Sequence, residues 1–156
     1  MEAARPATGD DVPQLAELVA EAVAEQAEAR GGRIWSAREA RAVPAEASLA
    51  ALVDDPGALV LAGTIDAWVV GYAVAVTEEL RTGERLGVVT DVYVEPGCRE
   101  VGVGEALLDR VVAWCEEAGC VGIDALALPG NRQTKNFFES FGFTARAIVV
   151  HRRLRP

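Results

Sequence analysis

The spacing of apolar residues predicts helices in the first third of the chain. Over residues 11–29, aliphatic side chains recur every three or four positions after an acidic pair and stop before two glycines. This is the pattern of an amphipathic helix with start and stop signals. Residues 31–43 show weak periodicity and are predicted to form a loop or a short helix, and residues 47–53 are predicted to form a short helix.

After residue 57, strand patterns rich in valine alternate with two further helical patterns. The predicted strands are 58–62, 68–77, 86–94, 121–128 and 144–154, and the predicted helices are 101–117 and 131–141. The strand at 86–94 has β-branched residues on both faces, which is typical of a central strand covered by helices. This order predicts an α/β fold, with a mixed, mostly antiparallel central sheet flanked by helices in a single domain spanning residues 1–156.

Composition excludes several functional classes. With 15 basic and 24 acidic residues the formal charge is -9, which disfavours nucleic acid as a partner. No apolar run approaches the roughly 20 residues of a membrane span, and the first ten residues resemble no targeting signal, so we expect a cytoplasmic protein that does not bind membranes. Three cysteines without a CxxC pair and one histidine predict neither a disulfide framework nor a metal site.

Glu17, Glu21 and Glu25 repeat every four residues on one face of the first predicted helix. Like charges at this spacing repel one another slightly. The stripe has two interpretations: a solvated face, which such stripes usually form, or the wall of a cation site.

The most informative stretch runs from a strand through Glu95 into a glycine-rich turn that opens a helix. Exposed N–H groups at a helix start and the helix dipole favour anions. Glycines at Gly102 and Gly104 would let a phosphate oxygen approach the backbone, and Arg99 could add a charge-assisted contact. The alternative is that the two glycines only allow close packing of the helix on its strand. A Rossmann fingerprint and a P-loop are both excluded, because Leu107 replaces the third glycine and no Gly-Lys-Ser/Thr is present.

These residues resemble the GNAT superfamily of N-acetyltransferases. Its signature is Arg or Gln, two residues, Gly, one residue, and Gly or Ala, placed after a strand that ends in a Val-x-Pro-like turn. The matching residues here are Val94-Glu95-Pro96, Arg99 to Gly104, Asn131, Phe138 and Gly142-Phe143, and Arg5 to Thr8 look like the family's first strand. The resemblance covers the whole chain.

The resemblance implies acetyl transfer from acetyl-CoA to an amine without a metal. The pantetheine arm would then bond to open backbone at Val92 and Val94, with a main-chain N–H near Val94 polarising the thioester carbonyl. The residues implied for the diphosphate are Arg99, Glu100, Val101, Gly102, Val103 and Gly104. Asn131 and Phe138 complete the implied cofactor contacts. Transfer would be direct, so Cys98 is expected to pack rather than to act as a nucleophile.

The chain departs from the family pattern at two positions. The family often has a tyrosine that protonates the departing thiolate, but Phe138 stands at that position and has no proton to give. Glu100 would repel a diphosphate and is therefore expected to point to solvent. Whether Tyr93 reaches the site depends on which face of its strand borders the cleft.

The sequence leaves the general base open. Asp91 leads, because it shares a strand face with Tyr93, and Glu78 and Glu79 are weaker candidates at the end of the neighbouring hairpin. Each could equally be a structural or solvated acid. His151, next to two arginines near the end of the chain, is interpreted as a surface residue.

Three functional hypotheses follow. The first is an N-acetyltransferase acting on a primary amine of a small molecule or an exposed protein amine. The second is an acyl-CoA-binding module with weak or no transferase activity, suggested by Phe138 and the uncertain base. The third is a scaffold or dimerisation domain. The final strand could pair across a homodimer, and the identity of the amine is not indicated.

Overall fold

A five-stranded sheet organises the chain, and the computed structural model describes residues 1–156. The strands are β1 Glu2–Pro6, β2 Ala58–Ile65, β3 Trp68–Glu79, β4 Arg85–Val94 and β5 Cys120–Ala125. The helices are α1 Val12–Ala27, α2 Gly32–Arg38, α3 Glu46–Val53, α4 Val103–Glu117 and α5 Arg132–Ser140. The strands lie in chain order, and all neighbours are antiparallel except β4 and β5, which α4 connects as parallel strands. The predicted α/β class and the mostly antiparallel sheet are confirmed.

Helices cover both faces of the sheet, as the β-branched pattern of β4 indicated. On one face α1 and α3 bury Leu15, Leu49 and Tyr72, and on the other face α4 buries Leu107 and Val111. Alternate side chains of a strand point to opposite faces, so Tyr93 of β4 packs in the first core while Val92 and Val94 pack against the second. No helix is both long and apolar enough to cross a membrane.

Cysteine packing follows the sequence prediction. Cys115 lies in the core below α4, and burial raises the pKa of its thiol to about 12, so it stays protonated and unreactive at neutral pH. Cys98 is a half-buried free cysteine that packs against the same core.

The final strand is the one element that the sequence predicted wrongly. Residues 144–156 form no strand, and every one of them is exposed. The backbone of this segment forms no hydrogen bond to another strand, and strand-forming side chains alone do not specify a strand. β5 is also shorter than predicted, because it ends at Ala125.

β3 and β4 approach closely at a glycine opposite the end of β4. Gly71 pairs with Val94, and a Cβ added at Gly71 would lie 2.6 Å from the backbone oxygen of Tyr93. A backbone atom within a sheet cannot move aside as a flexible side chain can. This glycine therefore fixes how closely the end of β4 lies against β3.

We expect Gly71→Ala to lower the free energy of unfolding by about 1–3 kcal/mol, because the two strands must separate to fit the methyl group. Gly122→Ala is the control, since the nearest atom to its added Cβ is 3.9 Å away, and it should change stability by less than about 0.5 kcal/mol. Urea unfolding measures both values. Equal stabilities for the two variants would contradict this account of the strand contact.

Candidate active site

β4 and β5 part halfway along β4. Their parallel pairing covers only Arg85–Val89 of β4, against Cys120–Ala125 of β5. The parting coincides with a bulge, because Val74 pairs with Asp91 and Ala75 pairs with Val89, which leaves Thr90 as an extra residue. A bulge bends a strand and increases its local twist. Residues 90–94 therefore have no strand on their β5 side.

The open edge of β4 presents backbone groups at defined positions. Glu95 donates its N–H to Val70 O of β3 at 2.9 Å. Because successive N–H groups of a strand alternate in direction, those of Val92 and Val94 point away from β3 and into the space that β5 has left. These are the two residues that the sequence proposed for pantetheine.

The turn after β4 also carries N–H groups without partners. The chain passes through a short 3-10 turn at Pro96–Cys98 and enters α4, whose first backbone bond runs from Ala106 N–H to Gly102 O at 3.0 Å. The N–H groups of residues 100–105 donate to no backbone acceptor, and no side chain caps α4. Such N–H groups together with the helix dipole suit an anion.

The two glycines of the turn are required for different physical reasons. Gly102 has φ +99°, a left-handed conformation that favours glycine. Gly104 is close to an aromatic ring, because a Cβ there would lie 3.1 Å from Phe137 Cε1. Glu100 is exposed, as predicted, and also has a positive φ of 67°. Val101 is exposed and Val103 is buried in the core beneath α4.

The Arg99 side chain does not have the free guanidinium that the sequence analysis expected to face a diphosphate. Its Nη1 and Nη2 donate to the Glu25 carboxylate of α1 at 3.1 and 2.7 Å, and its Nε donates to Val94 O at 2.8 Å. The guanidinium carbon lies 5.3 Å from the Tyr93 ring centroid. The Glu25 contact raises the pKa of Arg99, and Arg99 links α1 to the end of β4.

Asp91 lies on the face of β4 that also carries Tyr93, as predicted, but it is fully engaged. Arg41 donates through Nε at 3.0 Å and Nη2 at 2.7 Å, the Tyr72 hydroxyl donates at 3.0 Å, and the Thr90 hydroxyl donates at 2.7 Å. The Asp91 side chain is only 7% exposed and that of Arg41 12%. Each carboxylate oxygen thus accepts two hydrogen bonds.

These contacts argue against Asp91 as the base, since each of its carboxylate oxygens already accepts two hydrogen bonds, and its catalytic role stays a prediction. Burial of Arg41 favours its neutral form, but the bonds to Asp91 outweigh this and raise the pKa of Arg41. Burial and the Asp91 charge raise the pKa of Tyr72, so Tyr72 stays a donor. Asp91 therefore acts as an anchor that ties the segment between α2 and α3 to the bulge.

The charges of three carboxylates act on the hydroxyl group of Tyr93. Burial raises the pKa of Tyr93, the charges of Glu25, Glu21 and Glu95 raise it further, and Arg99 opposes them. Two members of the glutamate stripe thus act on a tyrosine beside the open part of β4. Glu25 already pairs with Arg99, so of these two glutamates only Glu21 remains open to the cation-site interpretation.

Asn131 and Phe138 have structural roles within the protein. Asn131 caps α5, with its Oδ1 accepting from Thr134 N–H at 3.0 Å and its Nδ2 donating to Gln26 Oε1 at 2.8 Å. Phe138 is buried, with ring centroids 5.5 Å from Phe137 and 5.2 Å from Phe143. Their cofactor contacts stay predictions.

The structure does not bring Glu78 and Glu79 to the cleft. They pair with Leu86 and Arg85 at the start of β4, and Leu86 is five residues, or about 17 Å at 3.3 Å per residue, from Asp91. This corrects their candidacy as bases. His151 lies exposed in the unpaired tail, as expected. No three His, Cys, Asp or Glu side chains form a cluster that could hold a metal ion.

Sequence reasoning missed the partners of the site residues. Arg41 came from a segment without periodicity and meets Asp91 50 positions away, while Glu25 meets Arg99 74 positions away. Only the regular spacing of the glutamates gave any signal, and that spacing does not identify their partners.

Comparison with known proteins places this geometry in a family. Residues 20–143 match the family described as Acetyltransferase (GNAT) family. An aminoglycoside N(6')-acetyltransferase type 1 from Stenotrophomonas maltophilia is 31% identical over 115 residues, which are 71% of this chain and 75% of that protein.

Solved structures share the fold. The tetramutant of the BH1408 protein from Bacillus halodurans has a TM-score of 0.83 at 20% identity, over 97% of this chain and 99% of that one. An aminoglycoside acetyltransferase, meta-AAC0020, from an uncultured soil metagenomic sample has a TM-score of 0.72 at 19% identity. The match covers 99% of this chain and 96% of that chain. The family match spans most of the chain and the sheet is the same, so the chain belongs to the GNAT acetyltransferase family and is an N-acetyltransferase.

Proposed function

We propose that the protein transfers the acetyl group of acetyl-CoA directly to a primary amine of a small cationic molecule. One observation carries the proposal: the open edge of β4 continues into a turn whose N–H groups at 100–105 have no acceptor in the protein. A long ligand with amides at one end and a diphosphate at the other matches this arrangement, in which the free strand edge is followed by the N–H groups of the turn. Action in the cytoplasm stays a prediction.

The residues fit acetyl-CoA at both ends. Val92 and Val94 would bond to the pantetheine amides in place of a neighbouring strand, and the N–H groups at 100–105 would hold the diphosphate at the start of α4. Acetyl-CoA supplies the activated thioester. A backbone N–H that polarises its carbonyl is worth roughly 3 kcal/mol of transition-state stabilisation.

The α1 side of β4 supports a cationic acceptor. Glu21 and Glu95 act electrostatically on Tyr93 and form no ion pair, whereas Glu25 is paired with Arg99. An ammonium near Tyr93 would therefore meet the Glu21 and Glu95 carboxylates. The Stenotrophomonas relative is named for aminoglycosides, and the meta-AAC0020 structure was also solved with sisomicin. A small amine with several charges therefore suits this side better than a single exposed protein amine.

Because residue 138 is phenylalanine, no side chain at this position can protonate the departing thiolate of CoA. A thiol has a pKa near 8.5, so its thiolate leaves tolerably at neutral pH, and general acid catalysis is typically worth about 100 to 10,000-fold. The burial of Phe138 and the engagement of Asp91 are also what favour the second candidate, a CoA-binding module with little turnover. A measurement of CoA thiol release in the presence of an amine distinguishes the transferase from the CoA-binding module.

A prediction for CoA binding concerns the glycine-rich turn after β4. Acetyl-CoA should raise the Tm of the protein by mass action, and thiol release should appear with sisomicin or a polyamine. Gly102→Ala should weaken CoA binding about tenfold in calorimetry, because alanine in a left-handed conformation costs about 1–2 kcal/mol and would displace the N–H groups around it.

Gly97→Ala is the matched control, since it lies in the same turn, has no positive φ and has open space around its added Cβ. It should bind CoA within about twofold of the original protein. Equal affinities for Gly97→Ala and Gly102→Ala would remove the turn from the site, and CoA binding without any thiol release would favour the binding module.

A prediction for stability concerns the ion pair between Arg41 and Asp91. Arg41→Ala leaves a buried carboxylate without its main partner and should lower the free energy of unfolding by about 3–5 kcal/mol. Arg38→Ala, an exposed arginine that pairs only with its neighbour Glu39, should change it by less than about 0.5 kcal/mol. Chemical denaturation gives both values.

Asp91→Asn then distinguishes an anchor from a base. If Asp91 only positions the bulge, folded Asp91→Asn should lose turnover while the acidic limb of kcat/KM against pH stays in place. Disappearance of that limb in the variant would restore Asp91 as the base.

A prediction for substrate binding concerns the contact between the cationic acceptor and Glu21. Glu21→Gln removes one charge near Tyr93 and should raise KM for sisomicin or spermidine about fivefold, in the range of a charge-assisted contact, while KM for acetyl-CoA stays unchanged. Glu17→Gln is the control from the same stripe, one helical turn farther from Tyr93. An identical rise in both variants would indicate general attraction by the acidic surface rather than a local contact.

A further inference from the structure

The Arg99 guanidinium lies where two kinds of group that bind organic cations meet. Its Nη1 and Nη2 donate to the Glu25 carboxylate at 3.1 and 2.7 Å, and its central carbon lies 5.3 Å from the centroid of the Tyr93 ring. A carboxylate and the face of an aromatic ring are groups that attract an ammonium ion. The protein therefore holds one of its own side chains in a place suited to a cation.

The surroundings of this guanidinium are acidic. Glu25 lies in the last turn of α1, which contains no basic residue, and the carbonyl groups at the C-terminal end of a helix carry a partial negative charge. The charges of Glu21 and Glu95 also act on Tyr93, and Arg99 opposes them. Without the guanidinium, a negative potential would remain at Glu25 and Tyr93, and another cation would be attracted to it.

The contact between Arg99 and Glu25 is one that a stronger anion can replace. The two side chains are 32% and 42% exposed, and ion pairs at such exposure contribute little to stability because water screens them. Arg99 directly precedes the N–H groups of residues 100–105, which have no backbone acceptor. A diphosphate bound to these N–H groups would offer the guanidinium a bidentate partner with more charge than one carboxylate.

Arg99 also occupies part of the open edge of β4. Its Nε donates to Val94 O at 2.8 Å, and the N–H and C=O of one strand residue point to the same side. Val94 O therefore faces the gap beside β5, as does the Val94 N–H. One guanidinium reaches both Val94 O and Glu25, so the place that it fills adjoins the edge proposed for pantetheine.

We propose that Glu25 and the Tyr93 ring form an ammonium subsite for the acceptor, which Arg99 fills until acetyl-CoA binds. The cosubstrate draws the guanidinium toward its diphosphate, and an ammonium group of the acceptor then takes the place of Arg99. This inference rests on the proposed function, because it assigns a subsite to the cationic acceptor. It makes Glu25 a specificity-determining residue, although Glu25 is paired within the protein in this structure.

Calorimetry with spermidine, on the protein without CoA, tests the subsite. Arg99→Gln removes the guanidinium and should bind spermidine about tenfold more tightly than the original protein, in the range of one charge-assisted contact. Arg38→Gln is the matched control, because it also removes one exposed positive charge and Arg38 pairs only with Glu39. This control should change the affinity by less than about twofold. No gain in Arg99→Gln, or an equal gain in both variants, would overturn the proposal.

A double-mutant cycle assigns the gain to Glu25. In a Glu25→Gln background, Arg99→Gln should no longer tighten spermidine binding, because the carboxylate that would receive the ammonium is gone. Arg99→Lys, which keeps a positive charge at this position, should bind spermidine as weakly as the original protein. A gain of the same size with and without the Glu25 carboxylate would mean that spermidine binds elsewhere.

Addition of CoA, which has no acetyl group to transfer, tests the displacement of Arg99. Saturating CoA should tighten spermidine binding to the original protein about tenfold, and spermidine should tighten CoA binding by the same factor. In Arg99→Gln the affinity for spermidine should already be high, so CoA should add less than about twofold.

The outcomes with CoA distinguish this inference from the proposed function. Failure of CoA to bind would overturn both. If CoA binds and amines are acetylated, but Arg99→Gln keeps the full coupling between CoA and spermidine, only the displacement of Arg99 is wrong. The charge of CoA itself would then account for the coupling.

Discussion

The buried carboxylate of Asp91 is the interaction on which the site depends. A charge removed from water is tolerated only when donors surround it, and Asp91 receives them from Arg41, Tyr72 and Thr90. These donors come from a distant loop, the adjacent strand and the bulged residue. Satisfying one charge therefore fixes the bulge, and the bulge determines where β4 leaves β5.

The parting of these strands gives β4 two different chemical sides. Backbone N–H groups lie in the plane of the sheet, and those of Val92 and Val94 point into the gap. Side chains stand perpendicular to the sheet, and Tyr93 points toward the carboxylates of α1. One short stretch of strand thus carries unpaired N–H groups in the plane of the sheet and, on one face, a tyrosine under the influence of carboxylates. Under the proposed function, the first would face the anionic cosubstrate and the second the cationic acceptor, and only a few residues separate them.

Local patterns predicted most of the fold, because periodicity reports which face of an element is buried. The helix over 101–117 and the central strand over 86–94 agree with α4 and β4 to within two residues. The turn at Arg99 to Gly104 was likewise found from its local sequence. The contact that holds the Asp91 carboxylate was not predicted, because its partner Arg41 lies 50 positions away and no local pattern encodes such a contact. The strand predicted over 144–154 was wrong for a related reason, since side-chain pattern predicts a tendency to extend but not whether the backbone pairs with another strand.

Phe138, which stands where the family often has a tyrosine, has a packing role next to the glycine-rich turn. With Phe137 and Phe143 it forms an aromatic cluster beneath the start of α4. Phe137 in turn lies so close to Gly104 that an added Cβ would be 3.1 Å from its ring. The cluster therefore holds the beginning of α4 in place, and with it the direction of the N–H groups that would face the diphosphate. A phenol at residue 138 would offer a proton but would need a hydrogen-bond partner in this apolar cluster. The aromatic cluster thus supports the proposed anion site, and under the proposed function the thiolate would leave without an acid at residue 138.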